Sequence, residues 1–170
     1  MRPAVQGWTS PRASRIHHAV KAVVQRVSHA SVRIDGRTVG EIGPGLLVLL
    51  GIGKDDAEAD TDWMIKKLLT LRIFPDDARK MNRSVTDLGG GILVVSQFTL
   101  FGDAARGARP SFSEAMAPGE AERFYEDFMA KLRAATVLKV AEGRFAAMMD
   151  VELVNDGPVT IVLDSREKAQ

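Results

Sequence analysis

The chain has 170 residues, 45% of them hydrophobic and 26% charged, a size and balance suited to one compact domain with a single buried core. Its 23 Lys and Arg stand against 22 Asp and Glu, so a nucleic-acid partner has to be argued from local cation clusters rather than from overall charge. The absence of cysteine excludes disulfides, thiolate catalysis and thiolate metal sites and suits a reducing, cytoplasmic setting, and no run of about 18 apolar residues marks a membrane span.

Residues 1–19 carry Arg2, Arg12 and Arg15, no acid and no apolar period. They read as an unstructured, dispensable extension, or as a start placed too far upstream, ahead of a domain over residues 20–170. The apolar centre of a secretory signal is missing, and Pro3 and Pro11 oppose the amphipathic helix of a transit peptide.

From Val20 the pattern is β. VKAVVQRV and ASVRI lead to Asp35-Gly36, a dipeptide suited to a type I′ hairpin, and then to RTVGEI. LLVLLGI (46–52) is a continuous apolar run bounded by glycines, which predicts a central strand buried on both faces. An acidic stretch then opens a helix through WMIKKLLTL, where Trp63, Lys67 and Leu71 share one side with Met64 and Leu68 beside them.

A short RIF strand ends in a turn at Asp76-Asp77, and glycines 89–91 precede ILVVSQF, an apolar strand that runs into polar residues. DAARGARPSF reads as a basic loop. Pro118 opens a second helix with Phe124, Phe128 and Leu132 on its core face. TVLKVAEGRF and MMDVELVNDGPVTIVLDS read as further strands, the last interrupted at residues 155–158. Antiparallel hairpin signals outnumber crossover units, so an α+β fold is expected, with mostly antiparallel, curved, barrel-like sheets packed with two main helices.

Three familiar chemistries fail. Glycines 89–91 lack the Lys and Ser/Thr of a phosphate-binding loop. No metal set is expected, because His17 and His18 fall in the extension, His29 stands alone and the paired aspartates lie in loops. A serine triad would have to recruit that same His29. What remains is Ser96-Gln97-Phe98-Thr99, two hydroxyls and an amide at a strand end, and Asn155-Asp156-Gly157-Pro158-Val159-Thr160. On their own, the first reads as strand-end capping and the second as a β-turn.

Together, SQFTLFGD (96–103) and NDGPVT (155–160) resemble the paired signature of the D-aminoacyl-tRNA deacylase family, and VKAVVQRVSHASV resembles its amino terminus. The similarity spans about residues 20–165, with KMNRSV, RPSF and LDS in matching order. Two departures stand out: Ala146 in GRFAAM, where the family commonly has glycine, and a loop at DAARGARPSF poorer in lysine than in many relatives.

The resemblance implies a cofactor-free hydrolase that cleaves the ester of D-aminoacyl-tRNA, with glycyl-tRNA as a further candidate substrate. It also implies a homodimer in which a cis Gly157-Pro158 bond, braced by Arg26, enters the partner's pocket and excludes L side chains. Ser96, Gln97, Phe98 and Thr99 then form the catalytic cluster, with backbone N–H groups at Phe98 and Thr99 as the oxyanion site and Thr99 as nucleophile a second route. Met148 would line the pocket. Arg106 and Arg109 are the first candidates for tRNA phosphates, and Lys66, Lys67 and Arg72 are weaker ones. The competing readings are a non-catalytic tRNA-binding module and a serine-type esterase.

Overall fold

The computed structural model describes residues 19–167. In chain order the elements are β1 (Lys21–Ile34), β2 (Arg37–Ile42), β3 (Gly45–Gly51), α1 (Glu58–Thr70), β4 (Phe74–Pro75), β5 (Met81–Arg83), α2 (Val85–Leu88), β6 (Gly91–Ser96), α3 (Pro118–Ala135), β7 (Val140–Glu142) and β8 (Asp150–Asp164). Short 3₁₀ turns occupy Phe98–Phe101 and Ser165–Glu167. The extension expected over residues 1–19 lies outside the described residues apart from Ala19, which is buried. Val20 is already tied in, its N–H donating to Ser165 Oγ at 2.9 Å.

Asp35 and Gly36 both take positive φ, 50° and 75°, as the expected type I′ turn requires, and join β1 to β2. β1 is longer than the two runs read from the sequence because they form one strand. Residues 21–27 pair with β3, residues 30–34 pair with β2 on the same edge, and β8 runs along the other edge. The sheet order is β2-β1-β3-β6-β7, and Gly40 of β2 lies so close to Glu142 of β7 that the sheet curls nearly shut. β3 is central and buried on both faces, as its unbroken apolar run demanded: Leu46, Val48 and Leu50 face the helices, and Leu47 faces the interior of the curl with Val27, Leu93 and Val95.

Most pairings are antiparallel, as expected, with β1 antiparallel to β2, β3 and β8, but the sheet is mixed. β3 pairs with β6 in parallel, and so does β6 with β7. The physical reason is that α1 lies between β3 and β6 and α3 between β6 and β7, so each helix carries the chain back to start the next strand in the same direction. Close approach in the first pair depends on glycine, since a Cβ on Gly45 would stand 1.9 Å from the Gly91 carbonyl oxygen.

Met64, Ile65 and Leu68 of α1 and Phe128, Met129 and Leu132 of α3 cover one face of the sheet. α2 was not foreseen from the sequence; Ser84 Oγ accepts from the Asp87 N–H, Asp87 Oδ2 accepts from the Ser84 N–H, and Gly89 closes the turn at φ 66°. The expected RIF strand (72–74) is displaced to Phe74–Pro75, and TVLKVAEGRF shortens to Val140–Glu142. The interruption at residues 155–158 is instead a bulge inside one long strand. Gln25 pairs with Thr160 and Val27 with Asn155, so residues 156–159 stand opposite Arg26 alone.

Candidate active site

β6 ends at Ser96, and the backbone turns through Gln97 into the 3₁₀ turn Phe98–Phe101, which leaves the first N–H groups of that turn without partners inside it. This junction edges a cavity of about 640 Å³. Its inner wall holds Ile52 and Val95, its far wall Phe112 and Met116, and its third side the loop Phe145 to Met149. Phe98 stands 56% and Met148 92% exposed, so two large apolar side chains mark its rim. Phe98 and Phe112 meet edge to face at 5.1 Å between ring centres.

Among the described residues that line this cavity there is no Asp, Glu, His, Lys or Arg. His29 lies elsewhere, on β1, 3.8 Å from Glu152 of β8, so among the described residues no triad assembles around a serine. Thr99 is exposed and does not line the cavity; its hydroxyl oxygen accepts from Gln97 Nε2. Behind the wall, the buried Tyr125 hydroxyl donates to the Val94 carbonyl oxygen at 3.1 Å, and burial pushes its pKa far up, which keeps it a neutral donor. Such a site can bind, orient and stabilise developing charge through backbone N–H groups, with no general base among its described lining residues.

The second cluster is built separately. The Gly157-Pro158 bond is cis, and Gly157 takes φ 121°, a conformation that L side chains rarely adopt. Arg26 holds this bulge: Nε donates to the Asp156 carbonyl oxygen at 3.2 Å and Nη1 to the Ile73 carbonyl oxygen at 2.7 Å. Asn155 Nδ2 adds bonds to the carbonyl oxygens of Arg26 and Val159, each at 3.0 Å. Gly157 and Pro158 are exposed and are not among the residues lining the cavity of their own chain.

The structure thus brings Ser96, Gln97, Phe98 and Met148 together, and Arg26 together with Gly157-Pro158, but it does not join the two groups. Arg106 and Arg109 are exposed on a loop whose base is closed by paired Asp103 and Ser111, next to the cavity-lining Phe112. Sequence reasoning missed Phe112, Met116 and Phe145 as cavity walls; the signal was an apolar residue kept in the polar loop RPSF. Ala146, noted as a departure, takes φ 58° in that wall. Among the described residues, no cluster of His, Cys, Asp and Glu could hold a metal ion.

The chain is 53% identical over 151 residues to a D-aminoacyl-tRNA deacylase of Chloroherpeton thalassium, covering 89% of this chain and 99% of the relative. It is 56% identical over 145 residues to one of Deinococcus radiodurans, covering 85% and 99%. Among solved structures, the c-Myc DNA Unwinding Element Binding Protein superposes with a TM-score of 0.81 at 44% identity, covering 84% of this chain and 97% of that one. A probable eukaryotic D-amino acid tRNA deacylase gives 0.73 at 17% identity, covering 86% and 99%, a likeness of fold alone. The model of the D-Tyr-tRNA(Tyr) deacylase family matches residues 23–164. By this match, and by relatives sharing over half their residues with it, the chain belongs to the D-Tyr-tRNA(Tyr) deacylase family.

Proposed function

We propose that this protein hydrolyses D-aminoacyl-tRNA, releasing the D-amino acid and free tRNA, with the cavity beside Ser96 to Phe98 as its catalytic pocket. The observation that carries the reading is a mostly apolar cavity with no titratable group among its described lining residues, set against the start of the 3₁₀ turn, where the N–H groups of Phe98 and Thr99 have no partner within the turn. An aminoacyl ester is already activated, so placement and an oxyanion site suffice. Water adds to the ester carbonyl, and the N–H of Phe98, which lines the cavity, takes the developing oxyanion, with the N–H of the following Thr99 as the second donor. The bond from carbonyl carbon to the ribose 3′ oxygen then breaks, and that oxygen leaves with a proton relayed through the vicinal hydroxyl. A serine-type esterase is disfavoured because no base is among the described residues that line the cavity with Ser96.

In this reading the pocket is completed by a second copy. Gly157-Pro158 projects from β8, whose outer edge has no partner strand among the described residues and which exposes Val154 and Val162. A long, partly apolar free edge is the kind of surface that a partner chain covers. The two backbone carbonyls of the motif then face the substrate α-carbon in the partner's cavity, accept from its ammonium group and leave no room for an L side chain. Arg106 and Arg109 take tRNA phosphates at the rim. Among the described residues no helix is long and apolar enough to cross a membrane, and the cytoplasm, where charged tRNA resides, is the proposed location. Release of amino acid from matched D- and L-tyrosyl-tRNA by the purified protein tests the assignment: cleavage of D alone supports it, and binding without turnover replaces it with an RNA-binding module.

A further inference from the structure

Residues 66–83 hold six cations, Lys66, Lys67, Arg72, Arg79, Lys80 and Arg83, against two acids, Asp76 and Asp77, in a chain whose net charge is only +1. All six are exposed, and none makes an ion pair within 4.0 Å among the described residues. Four of them belong to or brace the hairpin formed by β4 and β5. This is the local concentration of charge that phosphate binding needs and that overall composition conceals.

Within the hairpin Arg72 is taken up by Asn82, and Arg83 lies in electrostatic reach of Asp76 and of Asp87 just beyond it, so the tip cations Arg79 and Lys80 are the most available. Asp76 Oδ2 accepts from Asn82 Nδ2 at 2.7 Å, and Asp76 Oδ1 accepts from the N–H groups of Ala78 and Lys80, both at 2.9 Å. The acid at the centre of the turn is thus engaged by its own loop. Arg72 donates to the carbonyl and side-chain oxygens of Asn82 at 2.7 and 3.2 Å, which fixes the hairpin against the end of α1. At the tip, Arg79 occupies φ 61°, where glycine or asparagine fits with less strain, so a long cation is presented at a position that the backbone alone does not favour.

Its place in the fold links it to the Gly157-Pro158 bulge. One guanidinium, that of Arg26, bonds Ile73 at the root of the hairpin and Asp156 at the root of the bulge. Arg106 and Arg109, by contrast, sit on the loop that leads into Phe112, a residue of their own chain's cavity wall. We infer that the β4–β5 hairpin binds phosphates of the tRNA acceptor stem and acts across the dimer, gripping the tRNA whose aminoacyl end lies in the partner's cavity. The trans arrangement rests on the cross-subunit reading given above. Each tRNA would then be held by basic elements from both chains, one on either side of the ester.

The test neutralises the exposed tip with R79Q, K80Q and R83Q together. In the homodimer, affinity for uncharged tRNA and KM for D-tyrosyl-tRNA should weaken about tenfold or more, and the slope of log affinity against log salt should flatten by about two to three. Hydrolysis of D-tyrosyl-adenosine, which has no acceptor stem, should stay within about twofold of wild type, a result that also shows the variant is folded. Unchanged tRNA affinity overturns the proposal.

A mixed dimer then assigns the subunit. With Gly157→Ala in one chain only, the surviving site uses the motif of the other chain. Adding the neutral hairpin to that other chain should raise KM, and adding it to the Gly157→Ala chain should not; the reverse pattern would show that the hairpin serves its own chain's cavity. A monomeric protein, or a Gly157→Ala homodimer with wild-type turnover, removes the cross-subunit reading and the trans assignment, while the uncharged-tRNA measurement still decides whether the hairpin binds phosphate.

Discussion

Arg26 and Asp156 meet twice: the guanidinium Nε donates to the Asp156 carbonyl oxygen at 3.2 Å and lies 3.1 Å from its carboxylate. The same group reaches Ile73 with Nη1, and its side chain is only 11% exposed. The exposed carboxylate contributes little, so the clamp consists mainly of the two carbonyl contacts. A lysine, with a single compact ammonium on a flexible stem, cannot serve both. Arg26→Lys is expected to leave one carbonyl unpaired at about 1–3 kcal/mol of stability, read by denaturant melts. It should also lower kcat/KM for D-tyrosyl-tRNA by about tenfold or more as the bulge loosens.

Gly157→Ala adds a Cβ 2.9 Å from Arg26 Nη2 and 2.9 Å from Val159 Cγ2, at φ 121°. The arginine tip can yield, but the neighbouring Val159 on the same strand cannot easily do so. A stability loss of about 1–3 kcal/mol is expected from the backbone conformation, with the fold retained. D-tyrosyl-tRNA hydrolysis should drop about a hundredfold, since a misplacement of about one ångström suffices for that. Turnover at the wild-type rate would separate the motif from the chemistry.

Thr99→Ala should keep D-specific hydrolysis, because the Thr99 hydroxyl faces Gln97 and lies outside the cavity wall. A serine-directed phosphonate should leave the enzyme active, there being no base among the lining residues to activate a hydroxyl. Substrate whose terminal adenosine lacks the vicinal hydroxyl should react far more slowly. A dead Thr99→Ala enzyme with normal rates on the deoxy substrate would favour a side-chain nucleophile.

Ala146 holds a left-handed φ of 58° in the cavity wall. Glycine there removes a steric penalty of about 1–2 kcal/mol and adds unfolded-chain entropy of a similar or smaller size. Ala146→Gly is therefore expected to keep or raise the melting temperature, opposite to the usual effect of Ala→Gly, and to lower KM for bulky D-aminoacyl-tRNA by widening the wall near Met148. A clear fall in melting temperature would mean that the methyl group packs productively.

Local rules were enough for much of this architecture. The type I′ turn at Asp35-Gly36, the doubly buried β3, the proline start of α3 and its Phe128 and Leu132 face each follow from near-neighbour sterics or a single period. The parallel pairing of β6 was hidden because it depends on which side of the sheet α1 crosses, information that no short window contains. The site divides in the same way. Ser96 to Phe98 stood out as polarity at a strand end, whereas Phe112 and Phe145 became walls only through contacts between distant segments. The bulge at residues 156–159 read as a turn because Gly and Pro signal a local bend equally well whether or not the strand resumes its register afterwards.

That resumed register makes the bulge a gauge of length. β8 is laddered to β1 on both sides of it, from Asp150 to Asn155 and from Thr160 to Asp164. Removing or adding one residue between those ladders either changes how far Gly157-Pro158 stands out from the sheet or slips the last segment by one place. A slip would turn the buried Leu163 outward and exchange every inward and outward side chain after Thr160. The exposed Asp156 side chain can therefore be exchanged more freely than the length of the segment, whose residue count is constrained as tightly as any core position.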